Sequence, residues 1–151
     1  MREYTREKRL KTRSVNGTLG LGEIVSEILH SAGKLVILRG DLGAGKTTLV
    51  KGIASALGAA TEEEVVSPTF TLVHTFPGRK VTLYHLDVYR LETERELATL
   101  GIEEMVEEAD ALVIVEWGEK FPSLLEAADA EIAMSVGEVE NERLLHIRWR
   151  A

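Results

Sequence analysis

Cysteine is missing altogether from the 151 residues, which excludes a disulfide framework, a thiolate zinc site and a cysteine nucleophile. That absence fits a reducing cytoplasmic setting. No apolar run approaches the roughly 20 residues needed to cross a bilayer. The opening stretch MREYTREKRLKTR is too charged to serve as the apolar region of a signal peptide. Internal repeats, low-complexity tracts and linkers are also lacking, so one domain over residues 1–151 is expected. The four histidines (30, 74, 85 and 146) show no metal-ligand spacing and read as structural. The net charge is -7 and unevenly spread. Six basic side chains (Arg2, Arg6, Lys8, Arg9, Lys11, Arg13) stand against Glu3 and Glu7 in the first thirteen residues, which read as an exposed first strand. The remaining body is acidic, a poor counter-surface for a polyanionic backbone.

What is present alternates between helix and strand patterns. Ser14 or Asn16 is a candidate cap for a helix whose face is Leu21, Val25, Ile28 and Leu29, ending at Gly33. KLVILRG reads as a short buried strand, and Leu49, Val50, Ile53, Ala54 and Leu57 recur at helical spacing until Gly58. In SPTFTLVHTF, Pro68 keeps Ser67 extended and Phe70 and Leu72 alternate with Thr69 and Thr71. PGRK at 77–80 is a turn, which makes KVTLYHLDVYRL a hairpin partner. TERELATLGIEEMVEEA reads as one acidic helix, DALVIVEW as a buried strand, and EIAMSV and LLHIRW as two more strands. The expected fold is a mixed α/β sheet, parallel at its centre and flanked by antiparallel strands.

Gly40-x-x-x-x-Gly45-Lys46-Thr47 matches the phosphate-binding loop consensus at every fixed position. Glycines at 40, 43 and 45 let backbone N–H groups turn inward where side chains would block phosphate oxygens. The helix that follows adds its positive N-terminal end. Lys46 supplies a mobile charge for the β- and γ-phosphates, and the Thr47 hydroxyl suits Mg²⁺. Such a run arises by accident in roughly one chain per few hundred, and a strand before with a helix after makes accident rarer. The nucleotide-binding candidates are therefore Gly40, Asp41, Leu42, Gly43, Ala44, Gly45, Lys46, Thr47 and Thr48. Hydrolysis also needs carboxylates at strand ends, and Glu116 after ALVIV and Asp87 in YHLDVYRL both qualify. Either can hold Mg²⁺, directly or through water, or orient the attacking water. Thr69 and Thr71 are candidate γ-phosphate sensors, though solvent-facing strand threonines by position alone. Trp117 suits stacking on a base or ribose, and equally a buried interface. Neither Asn-Lys-x-Asp nor Asp-x-x-Gly occurs, which argues against a small GTPase and for an adenine nucleotide, ATP or ADP.

GDLGAGKTTLVKGIASALG, VSPTFTLVHTF, LYHLDVYRL, ELATLGIEEM and IVEWGEKFP occur in this order and spacing. Together they resemble the bacterial TsaE (YjeE) ATPases of tRNA threonylcarbamoyladenosine biosynthesis, over about Thr12 to Arg148. The first motif is generic to phosphate-loop proteins, whereas SPTFTLV with YHLDVYRL and Glu-Trp is specific to that family. The resemblance implies a P-loop NTPase fold, mostly parallel, with helices on both faces. It implies Mg²⁺ coordination by Thr47 and Glu116, a link of Asp87 to ATP hydrolysis, and a switch-like role for Thr69. Trp117 and Arg143 are implied nucleotide contacts, and Ser14 and Val15 are expected near the adenine. Family members often carry proline after Glu-Trp. Gly118 stands there instead and permits a looser turn.

The resemblance further implies a cytoplasmic protein, monomeric alone, that hydrolyses ATP while docked on TsaB and TsaD. Those partners transfer the threonylcarbamoyl group to an adenosine beside the tRNA anticodon, so this chain meets tRNA only through them and meets no membrane. Two rival readings stand beside it. A small-molecule kinase needs an acceptor pocket and usually an arginine-bearing lid, yet Arg90 and Arg95 are the only arginines between 80 and 140. A nucleotide-dependent adaptor without enzymatic purpose would use the acidic stretch Glu92 to Glu108 for docking.

Overall fold

The computed structural model describes residues 3–41, 43–59, 65, 68 and 72–150. Seven strands form one sheet in the order β1-β7-β6-β2-β5-β4-β3. They are β1 (Arg6–Thr12), β2 (Leu35–Arg39), β3 (Val73–Pro77), β4 (Thr82–Asp87), β5 (Ala111–Glu116), β6 (Ala130–Val136) and β7 (Arg143–Trp149). The central run β6-β2-β5-β4 is parallel, while β1-β7, β7-β6 and β4-β3 pair antiparallel. This is the expected parallel centre with antiparallel flanks.

Strand periodicity sorts the side chains between two cores. Val36 and Leu38 of β2 pack with Leu83, Leu112, Ile114 and Ile132 beneath α1 (Val15–Ala32) and α2 (Lys46–Ala56). Leu35 and Ile37 point the other way, toward α3 (Glu94–Ala98), α4 (Ile102–Glu107) and α5 (Pro122–Ala127). Residues of β2 are buried on both faces because helices cover both, and its run of apolar residues has that cause.

The helix ends follow the sequence closely. Ser14 accepts the Gly17 N–H at 2.9 Å and caps α1, and Gly33 follows its last turn. The two long helices approach almost backbone to backbone. A Cβ added to Gly22 would lie 2.1 Å from the carbonyl carbon of Gly52.

Three elements differ from the sequence reading. The single acidic helix over 93–109 is two short ones, because Gly101 takes a left-handed conformation (φ 76°) and starts α4 afresh. Thr93 and Glu96 form a capping box on α3, which sets its beginning. The strand of the SPTFTLVHTF segment starts only at Val73, since Leu72 has φ 68°. Ser67, Thr69, Phe70 and Thr71 lie outside the described residues. Gly118 does not loosen its turn. It is buried in a turn of 3-10 helix, and a Cβ there would sit 3.2 to 3.4 Å from Ile37, Val115 and Leu124.

Candidate functional site

The strands β2, β4 and β5 run parallel, so their C-terminal ends open on one edge, where ligands of open α/β sheets bind. Beyond β2 the chain turns through Gly40 and Asp41 into α2. Gly43 (φ 84°) and Gly45 (φ 100°) hold left-handed backbone that other residues adopt only under strain. The space beside Gly43 is open: a Cβ added there would meet nothing within 4 Å among the described residues. Ala44 is buried and its N–H is held by Asp41 O at 3.0 Å, which closes the turn. Gly45 caps α2 without any side-chain hydrogen bond. The first amides of α2, those of Lys46, Thr47 and Thr48, therefore face the loop as a ready anion site. Leu42 lies outside the described residues.

Period-2 alternation puts Leu83, His85 and Asp87 on the α2 side of β4, and Leu112, Ile114 and Glu116 on the same side of β5. Asp87 and Glu116 are direct register partners at the ends of these neighbouring strands. Both carboxylates are almost wholly buried. Glu116 Oε1 meets Lys46 Nζ at 3.5 Å, and Glu116 Oε2 accepts His85 Nε2 at 2.5 Å. Burial alone raises the Glu116 carboxyl. The hydrogen bond and charge of His85 and the charge of Lys46 outweigh it and hold the group below its ordinary 4.5. Asp87 Oδ1 accepts the Tyr89 N–H at 2.9 Å, which fixes the turn after β4.

Trp117 follows Glu116 in left-handed backbone (φ 66°), an unusual conformation for so large a residue. The Lys46 ammonium lies 4.9 Å from the centre of its ring, and Tyr89 packs beside it with centroids 5.0 Å apart. Lys120 ties the same corner by donating to the carbonyls of Tyr89 and Leu91. On the far side of the loop, the β6–β7 hairpin delivers Arg143. Its guanidinium donates to Gly43 O at 3.2 Å and to Glu142 O at 2.9 Å. Ser14, Val15, Gly45, Thr48 and Arg143 line one cleft of about 40 Å³, so the start of α1 adjoins the loop.

Lys46, Asp87, Glu116 and Trp117 thus converge, and Arg143 and Val15 flank the loop. Thr69 lies outside the described residues. The sequence reading missed His85, Tyr89 and Lys120. His85 was legible in one respect: it precedes Asp87 by two residues, which places both on one strand face. A much larger groove of about 1050 Å³, lined by His30, Leu57, Arg79 and Asp110 among others, lies at the opposite edge of the sheet. It contains neither glycine loop nor strand-end acid.

Among the described residues, no three His, Asp or Glu side chains gather into a metal cage. Magnesium seldom needs one, since it is commonly held by one or two carboxylates together with substrate phosphates. Thr47, Glu116 and Asp87 beside an amide cradle fit that pattern.

The family model described as "Threonylcarbamoyl adenosine biosynthesis protein TsaE" matches residues 12–145. A relative from Treponema pallidum, named tRNA threonylcarbamoyladenosine biosynthesis protein TsaE, is 41% identical over 128 residues, 85% of this chain and 91% of its own length. The relative of that name from Mycobacterium leprae is 33% identical, over 99% of this chain and 96% of its own. The one from Nostoc sp. is 45% identical over 70% of this chain but only 64% of its own. The crystal structure of YdiB from Bacillus subtilis superposes with a TM-score of 0.72 at 25% identity, covering 97% of this chain and 87% of that one.

Proposed function

The chain belongs to the TsaE family of tRNA threonylcarbamoyladenosine biosynthesis, and from that premise we propose that it is a Mg²⁺-dependent ATPase serving the TsaB–TsaD transferase. The supporting observation is the meeting of Lys46, Glu116 and Asp87 at the C-terminal strand edge, directly below the Gly40–Thr47 loop.

In this reading the loop amides and the α2 N-terminus hold the phosphates, and Lys46 neutralises the β- and γ-oxygens. Lys46 is shared with Glu116 and the Trp117 ring, so bound phosphate competes with Glu116 for the ammonium. Thr47 and Glu116 would hold Mg²⁺, with Asp87 as the alternative ligand; the ion would supply neutralisation of phosphate charge. Asp87 orients the attacking water or takes its proton. Arg143 braces the loop through Gly43, and Val15 borders the base. Thr69 is assigned a switch-like role. Turnover alone is slow in this reading, since the Arg143 guanidinium is engaged by backbone carbonyls and so is not free to serve as an arginine finger. Lacking such a finger costs about 10³ to 10⁵ in rate.

The test is phosphate release by the purified chain, alone and with TsaB and TsaD, with and without tRNA. Stimulation by the partners is expected. Glu116→Ala should fold but lose Mg²⁺-dependent turnover, and normal turnover in that variant with partners present would remove Glu116 from the mechanism. Release of phosphate without any phosphorylated acceptor separates this reading from a kinase.

A further inference from the structure

The His85 side chain is completely buried in β4, with Ile114 of β5 and His74 of β3 as its register partners. A histidine in such a place is ordinarily a cost, because each buried nitrogen needs a partner. Only half of that need is met. Nε2 bonds to Glu116 Oε2 at 2.5 Å, whereas Nδ1 has no hydrogen-bond partner among the described residues. Leucine would fill much of the same space and leave no orphaned nitrogen. What the imidazole adds over an apolar side chain is one donor, aimed at one oxygen of Glu116.

We infer that His85 is a positioning residue: its Nε2–H pins Glu116 Oε2, so that Glu116 offers Oε1 alone to Lys46 and to the metal side of the site. The inference rests on the ATPase reading above and names a further part of that site. The three groups form a chain, His85 to Glu116 to Lys46, with contacts of 2.5 and 3.5 Å. Without the donor, a buried carboxylate keeps Lys46 as its one remaining cation in the chain and turns toward it. Glu116 then holds the ammonium more tightly and presents its free oxygen poorly. His85 itself touches neither nucleotide nor metal, so its effect passes through Glu116.

The test uses the full chain with His85→Leu, which removes the donor, and His85→Gln, whose amide keeps a donor near the Nε2 position. Calorimetry measures ADP binding without and with Mg²⁺, and thermal unfolding checks the fold. Loss of a side chain that orients a metal ligand typically costs about 10–100-fold in metal affinity. His85→Leu is expected to lose that much of the Mg²⁺ effect and, since Glu116 then competes harder for Lys46, to bind metal-free ADP no more tightly than the parent. His85→Gln is expected to recover most of it. An unchanged Mg²⁺ effect in folded His85→Leu overturns the inference. So does a folded His85→Gln that fails as badly as the leucine variant, and this arm decides the matter if His85→Leu does not fold. A metal-free readout separates the inference from the ATPase reading. Ring ¹⁵N NMR of the parent should show a proton on His85 Nε2 whose signal moves in Glu116→Gln, and no such response overturns the contact. A parent that binds no nucleotide at all sinks the ATPase reading instead.

Discussion

Lys46 carries three contacts at once: the carboxylate of Glu116, the face of Trp117, and the first turn of α2 to which it belongs. Hydrogen bonds to charged groups contribute about 1.5–3 kcal/mol. Lys46→Met should therefore weaken ADP binding by about 10–100-fold, measured by calorimetry; unchanged affinity would place the phosphates elsewhere. Glu116 gives a pH prediction. Its folded carboxyl titrates below 4.5, so its stabilising contribution is complete above that ordinary value and drains away as pH falls through the lower folded one. Glu116→Gln should therefore show a shallower acid limb in urea melts taken from neutral pH down to about pH 3. Identical limbs would mean that His85 and Lys46 do not favour the ionised form. The glycine loop, Lys46, Glu116 and Asp87 were legible because each sits at a motif position whose chemistry demands it. The contact of His85 was not, although its spacing put it on the face of Asp87, because nothing local distinguishes a core histidine from one that faces a carboxylate on the next strand.

Elements are held by contacts that single glycines permit. Gly22 and Gly20 both lie in α1 and make a matched pair. A Cβ on Gly22 meets the Gly52 backbone at 2.1 Å, whereas one on Gly20 meets nothing within 4 Å. Gly22→Ala should cost stability at the upper end of the about 1–3 kcal/mol typical of overpacking, because backbone cannot yield as a side-chain tip can. Gly20→Ala should be neutral or stabilising by up to about 1 kcal/mol through helix propensity. Denaturant melts check both, and equal effects would contradict the α1–α2 geometry. Helices α1 and α2 and strands β2, β4, β5, β6 and β7 were readable from periodicity and caps. The break at Gly101 was not, since good helix formers stand on both sides and nothing local marks that glycine as left-handed. Nor was the short α5, which holds too few residues to show a period.

Across the whole molecule, charge and coverage divide together. Helices α3, α4 and α5 pack over β2, β4 and β5, while β1 at one edge carries Arg6, Lys8, Arg9 and Lys11, all exposed. Charged side chains on an edge strand discourage pairing with another chain, and the opposite edge strand β3 ends on Pro77. The chain alone should accordingly sediment as a monomer, and replacing Arg9 and Lys11 together by valine should promote self-association; a stable dimer of the parent would contradict this. Strand order was legible only as a parallel centre with antiparallel flanks, because which parallel strand lies beside β2 depends on long-range pairing that no local pattern encodes. That pairing is what sets Asp87 against Glu116. The most direct test of the account is calorimetric titration of the folded chain with ATP and ADP, with and without Mg²⁺, beside Glu116→Ala. Binding by the parent, tightened by Mg²⁺ and with that tightening lost in the variant, is the predicted result. No heat of association with either nucleotide, or a Mg²⁺ effect that survives the variant intact, would contradict it.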